Sequence, residues 1–169
     1  MKVFGIAGWS GSGKTTMLAR TIPEIIARGL KVSTIKHAHH AFDIDQPGKD
    51  SHRHRVAGAS EVMISSGKRW ALMHELREEP EPTLAELLQR LSPVDLVLVE
   101  GFKFYPHAKL EVYRAEIGKP LLARNDPHII GIATDKPLPD IKLPQMALDD
   151  ASAIADFIIR HCAVAEIDA

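Results

Sequence analysis

With 169 residues, 45% of them hydrophobic, the chain is long enough to bury a single packed core, and one domain over residues 1–169 is expected. Its 21 Lys and Arg against 22 Asp and Glu leave a formal net charge of −1, which excludes a polyanion-coating protein and an acidic solvating tail. A lone Cys162 excludes an internal disulfide, and no apolar run approaches the ~18 residues of a membrane span, so a cytoplasmic protein away from the membrane is expected.

The first apolar run, residues 2–7, reads as a buried strand and stops too early for a signal-peptide core. It leads into Gly8-Trp9-Ser10-Gly11-Ser12-Gly13-Lys14-Thr15, a complete G-x-x-x-x-G-K-[ST] phosphate-binding loop. Gly11 and Gly13 let backbone N–H groups turn inward around an oxyanion. Lys14 reaches the β- and γ-phosphates of a nucleotide, and the Thr15 hydroxyl suits Mg²⁺. Residues 15–28 carry Leu18, Ile22, Ile25 and Ile26 at helical spacing, Gly29 ends the pattern, and Pro23 predicts a kink or local shift inside it.

A second strand is expected at 31–36, followed by the most unusual composition in the chain. Residues 31–70 hold seven Lys and Arg against four Asp and Glu, with five of the nine histidines. Three readings are open. A metal site would use His37 and His39 on one face of an extended segment, or Asp50 and His54 on one face of a helix. An anion-binding surface would use Lys36, Lys49, Arg53 and Arg55, with the imidazoles adding charge as pH falls toward ~6.5. The third is a solvated surface. Nucleic acid is disfavoured, because no aromatic residues interleave with the charges. Asp45-Gln46-Pro47-Gly48 has the D-x-x-G form of a GTPase switch, yet no four-residue apolar run precedes it. Asp43 and Asp45 therefore stand between switch-loop ligands and plain loop residues.

Strands are next expected at 61–65 and 71–75, then a helix at 83–91 with Thr83 and Glu86 as a capping box. Residues 95–100 form a buried strand ending in Glu100, the strand-end carboxylate that a phosphate loop needs to hold Mg²⁺. Gly101 would let the backbone approach a nucleotide closely. Further strands are expected at 110–113 and 129–134, a proline-rich extended connection at 137–144, and a last helix at 150–162, with fraying beyond it. This alternation predicts an α/β protein of P-loop NTPase fold, a mostly parallel sheet flanked by helices.

Four segments in order, Ala7–Thr16, the I-K-H-A-H-H-A-F-D-I-D-Q-P-G-K-D-S run at 35–51, R-W-A-L-M at 69–73 and L-V-L-V-E-G-F-K at 96–103, give the chain a resemblance to the MobB family of molybdopterin-guanine dinucleotide biosynthesis adaptor proteins. The resemblance implies a single GTP-binding domain, homodimeric, with weak Mg²⁺-dependent hydrolysis and a role that is mainly that of an adaptor. Its partner would be the molybdenum cofactor guanylyltransferase that joins GMP to molybdopterin, and molybdopterin itself is a further candidate ligand. By position, Ser10, Gly11, Ser12, Gly13, Lys14, Thr15 and Thr16 would hold the phosphates, Thr15 and Glu100 the Mg²⁺, and Asp135 the guanine N1 and N2 groups. The chain keeps only Thr134-Asp135-Lys136 where regulatory GTPases have N-K-x-D. An antiparallel segment near 60–75 and 108–114 is expected to carry the dimer, and no catalytic base is assigned. The alternatives are a P-loop small-molecule kinase, for which no Arg-rich lid follows Glu100, and a nickel-delivery GTPase that would use the histidines.

Overall fold

The computed structural model describes residues 1–38, 42–102 and 105–162. They fall into two compact units, residues 1–37 with 88–169, and residues 38–87. No helix among the described residues is long and apolar enough to cross a membrane.

The larger unit is a six-stranded sheet in the order β2-β5-β1-β6-β7-β8, every adjacent pair parallel. Its strands are β1 (Lys2–Ala7), β2 (Val32–Lys36), β5 (Leu96–Glu100), β6 (Lys109–Tyr113), β7 (Ile129–Thr134) and β8 (Gln145–Ala147). Alternate strand residues, among them Phe4, Ile6, Leu98 and Leu110, face the helices α1 (Lys14–Ala27) and α4 (Ala151–Cys162) and form the core with Ile25, Ile154 and Ile158. Phe157 brings the tip of its ring against Gly131, where an added Cβ would lie 2.4 Å from Cζ, and its ring meets that of Phe4 edge-on. Cys162 is a free thiol buried in this core, and burial pushes its pKa up to about 11.

Helix α1 runs through Pro23, whose missing N–H leaves one carbonyl without an intrahelical donor, and ends at Gly29, in the left-handed conformation expected of it. The connection over 137–144 is irregular as anticipated, but β8 follows it unforeseen. Three residues at a sheet edge carry too little apolar periodicity to announce a strand.

Strand β6 corrects one expectation. Residues 108–114 were assigned to an antiparallel dimer segment, yet Lys109–Tyr113 lies inside the sheet, parallel to both β1 and β7. Its charged residues are satisfied internally. Lys109 is 1% exposed and its Nζ lies 3.0 Å from Asp126 Oδ2, while Glu111, fully buried, accepts the backbone N–H groups of Leu122 and Ala123, each at 2.8 Å. Burial raises the Glu111 pKa against those two hydrogen bonds.

The smaller unit contains α2 (Asp50–Val56), the antiparallel hairpin β3 (Glu61–Ser65) and β4 (Trp70–His74), and most of α3 (Leu84–Gln89). The capping box forms as the sequence predicts. Thr83 donates its backbone N–H to Glu86 Oε2 at 2.7 Å, and the Glu86 N–H returns to Thr83 Oγ1 at 3.3 Å. Asp45 is buried and takes a two-point ion pair from Arg55, Nε to Oδ2 at 3.1 Å and Nη2 to Oδ1 at 2.9 Å, and Nη2 also reaches Asp43 at 2.8 Å. The Arg55 guanidinium holds the Asp45 carboxyl below its ordinary pKa.

His107 packs against Gly5, whose missing Cβ leaves room for the ring, and neither ring nitrogen has a hydrogen-bond partner among the described residues. Burial, with the Lys109 charge next, pushes its pKa down to about 4. Between about pH 6.5 and 4 the unfolded chain binds a proton that the folded chain refuses, so stability falls as pH falls through that window. Denaturant midpoints measured across it should decline in the native chain and decline less in His107→Leu. Equal slopes would show that His107 is not the group responsible.

Candidate phosphate-binding site

The phosphate loop joins the C-terminal end of β1 to the first turn of α1, and glycine geometry makes the junction. Gly8, at φ 142°, sits so close to β6 that an added Cβ would lie 2.5 Å from the Val112 carbonyl oxygen. Gly13, at φ 95°, is the residue before the helix, and its carbonyl accepts the first helical N–H from Met17 at 2.9 Å. An added Cβ on Gly11 would meet nothing within 4 Å. The Lys14 ammonium donates to the Gly8 and Trp9 carbonyls, each at 2.9 Å, which arches the loop over its own side chain. Ser12 is 2% exposed, and its hydroxyl has no hydrogen-bond partner among the described residues. An open cradle at a helix start, with a cation and an unused buried hydroxyl beside it, has the donor chemistry a nucleotide polyphosphate needs.

The outer side of the loop is gripped by the segment after β6. Arg114 Nε donates to the Ser12 carbonyl at 3.2 Å, the Trp9 indole N–H donates to the Pro120 carbonyl at 2.7 Å, and the Lys119 ammonium stands 5.7 Å over the Trp9 ring. None of these contacts was foreseen, because each joins residues about a hundred positions apart.

Glu100 closes β5, the strand beside β1, and lies in register with Ile6 and with Lys36 of β2. Thr15, in the first turn of α1, and Glu100 are thus at the same C-terminal edge of the sheet, where open α/β sheets bind ligands. Gly101 also makes a close approach within the chain. A Cβ there would lie 2.5 Å from the His37 Cβ, and the His37 N–H donates to the Glu100 carbonyl at 2.8 Å, so the glycine admits His37.

Asp135 follows β7 directly. The Thr134 hydroxyl donates to the Lys136 carbonyl at 2.9 Å, folding a tight turn with Asp135 exposed at its tip. Asp135 lines a cavity of about 250 Å³ with Gly13, Thr16, Arg20, Arg114 and Asp149. The sequence pointed to the phosphate loop, Thr16 and Asp135. It did not point to Arg20, Arg114 or Asp149, which share no motif and meet only because α1 begins and β6 and β8 end here. The Gln145 side chain ties down the connection before β8 through Leu138 and Ile141.

The His-rich segment divides. Arg55 is taken up by Asp45 and Asp43, with Glu75 Oε1 3.6 Å away, so it is not the open anion-binding charge anticipated, and Asp43 and Asp45 are its partners. Lys36, Lys49 and Arg53 remain exposed. No group of three His, Cys, Asp or Glu converges on a metal-sized site among the described residues; His39 and His40 lie outside them.

Replacing Gly8 with alanine should cost about 1–3 kcal/mol, because the new methyl group must displace either the loop or β6. Chemical denaturation checks this, and undiminished stability would mean that the loop does not rest on the Val112 carbonyl.

The family model for molybdopterin guanine dinucleotide synthesis protein B, MobB, matches residues 3–135. The chain is 42% identical over 161 residues to the molybdopterin-guanine dinucleotide biosynthesis adapter protein of Escherichia coli K12, covering 94% of this chain and 91% of that one. To the protein of the same name from Haemophilus influenzae it is 44% identical over 160 residues, covering 92% and 86%. A crystal structure of molybdopterin-guanine biosynthesis protein B superposes with a TM-score of 0.75 at 28% identity, covering 95% of this chain and 99% of that one. With this sheet, this loop and these relatives, the chain belongs to the MobB family, and its sheet is that of a P-loop NTPase.

Proposed function

We propose that this chain binds GTP with Mg²⁺ and acts in the cytoplasm as an adaptor in molybdopterin-guanine dinucleotide biosynthesis, assisting the guanylyltransferase that joins GMP to molybdopterin. The observation that supports GTP most directly is the cavity, which begins at Gly13 of the phosphate loop and extends to the Asp135 carboxylate. The names of the similar proteins support the pathway.

In this reading the loop amides and Lys14 hold the β- and γ-phosphates, Ser10, Ser12 and Thr16 add hydroxyl donors, and Thr15 and Glu100 hold the metal. Mg²⁺ supplies charge neutralisation across the phosphates. Asp135 accepts hydrogen bonds from guanine N1 and N2, a donor pair that adenine lacks. In this reading hydrolysis is slow, and a slowly turning site suits an adaptor that holds its nucleotide for a partner.

The same chain acts as a homodimer through the β3–β4 hairpin. Met63 and Leu72 stand opposite each other, with Trp70 two residues along the same face, and all three are exposed, Trp70 to 66%. A two-stranded ribbon is marginal alone, and covering this face with a second copy removes apolar surface from water.

Calorimetry with GTP and Mg²⁺ tests the nucleotide. Lys14→Ala should abolish binding with the fold intact, and Asp135→Asn should weaken GTP roughly ten- to hundredfold while leaving ATP unchanged. ATP bound by the native chain as tightly as GTP would sink the guanine assignment. Capture of the purified guanylyltransferase should require GTP and Mg²⁺, and equal capture without them would remove the nucleotide from the adaptor role. In sedimentation, Trp70→Glu should shift the chain toward monomer; an unchanged mass would place any dimer interface elsewhere.

A further inference from the structure

The strand order gives Arg114 a position that no phosphate-loop consensus assigns. β6 lies between β1, which carries the phosphate loop, and β7, which carries Asp135, and Arg114 is the first residue after β6. Whatever joins a phosphate chain in the loop to a base at Asp135 must therefore pass it. On a nucleotide that joining piece is the α-phosphate and the ribose.

The side chain is placed for such a contact. Its Nε is committed to the Ser12 carbonyl at 3.2 Å, which fixes the guanidinium plane against the loop. The same group lies beside Gly13, where an added Cβ would fall 3.4 Å from Nε and 3.6 Å from Nη2. Its only ion-pair neighbour among the described residues is the well-exposed Glu116, with Nη1 3.9 Å from Oε1, a distance that neutralises little in water. About a third of the side chain is exposed, and it lines the cavity. Held by one nitrogen, a guanidinium keeps N–H donors in a flat fork that suits phosphate oxygens better than a hydroxyl or a base face. Arg20 also lines the cavity, but it stands six residues past Lys14 on α1 and makes no hydrogen bond or ion pair with the loop among the described residues.

We propose that Arg114 is a nucleotide-binding residue, a second permanent cation that braces the phosphate loop through Nε and binds the α-phosphate of the nucleotide through its remaining N–H groups. The inference rests on the proposal that the chain binds GTP. It separates the labour of the two cations: Lys14 acts on the β- and γ-phosphates, and Arg114 on the one phosphate common to the tri-, di- and monophosphate.

That division makes the test specific. Calorimetry with GTP, GDP and GMP, each with Mg²⁺, should show Arg114→Gln weakening all three by a similar factor, about ten- to hundredfold. Arg114→Lys, which keeps the charge without the fork, should recover part of the GMP affinity. A brace acting only on loop shape gives another pattern, with GTP and GDP weakened and GMP unchanged, and that result overturns the proposal. So do equal losses of GMP affinity in the Gln and Lys variants, and so does unchanged affinity in both. A native chain that binds none of the three nucleotides removes the GTP reading itself, and the role of Arg114 with it.

Discussion

The approach of Gly8 to the Val112 carbonyl is the constraint on which the phosphate-loop end of the sheet depends. A side chain at residue 8 would separate β1 from β6 at the point where the chain must leave the sheet. Because it has none, the loop is seated directly on β6. The residues that follow β6 can then reach it, Arg114 through the Ser12 carbonyl and Pro120 through the Trp9 indole. The loop is shaped from inside by the Lys14 ammonium on two of its own carbonyls and from outside by a strap more than a hundred residues further along the chain. Such bracing matters for polyphosphate binding, because inward-facing amides are useful only if they are already in place when the anion arrives.

Strand β6 shows how charge can disguise a central strand. Lys109 and Glu111 are on the face turned away from α1 and α4, where the sequence would lead one to expect solvent or a partner. The segment from Leu121 to His128 covers them and supplies the partners, Asp126 for the amine and two backbone N–H groups for the carboxylate. Removing one partner of such a pair costs more than the pair itself contributes, since it leaves a buried charge alone. The buried pairs thus bind to β6 the same segment that continues from the loop's strap.

Much of the architecture was legible from local pattern. Four buried apolar residues before Glu100, the alternation around the phosphate loop, the Thr83–Glu86 cap and Gly29 at the end of α1 all formed within a residue or two of where the pattern placed them. What was not legible required distant partners. Arg55 looked like an open positive charge until Asp45 and Asp43 were found on it, ten and twelve residues upstream. That Gly101 gives room to His37 also depends on a residue more than sixty positions away. β8 is too short to be periodic, and Asp149, just beyond it, had no motif to mark it.

The sequence by itself determined the phosphate-loop motif, because that motif is a local device: its glycines, lysine and hydroxyls lie within eight consecutive residues. It also determined the family, through segments that are contiguous in the chain. Only the tertiary structure decided what stands between the phosphate loop and Asp135. The residues there come from the first two turns of α1 and the segments that follow β6, β7 and β8, elements that lie far apart along the chain, and parallel strands with crossover connections bring their C-terminal ends to one edge of the sheet only when the whole sheet has formed.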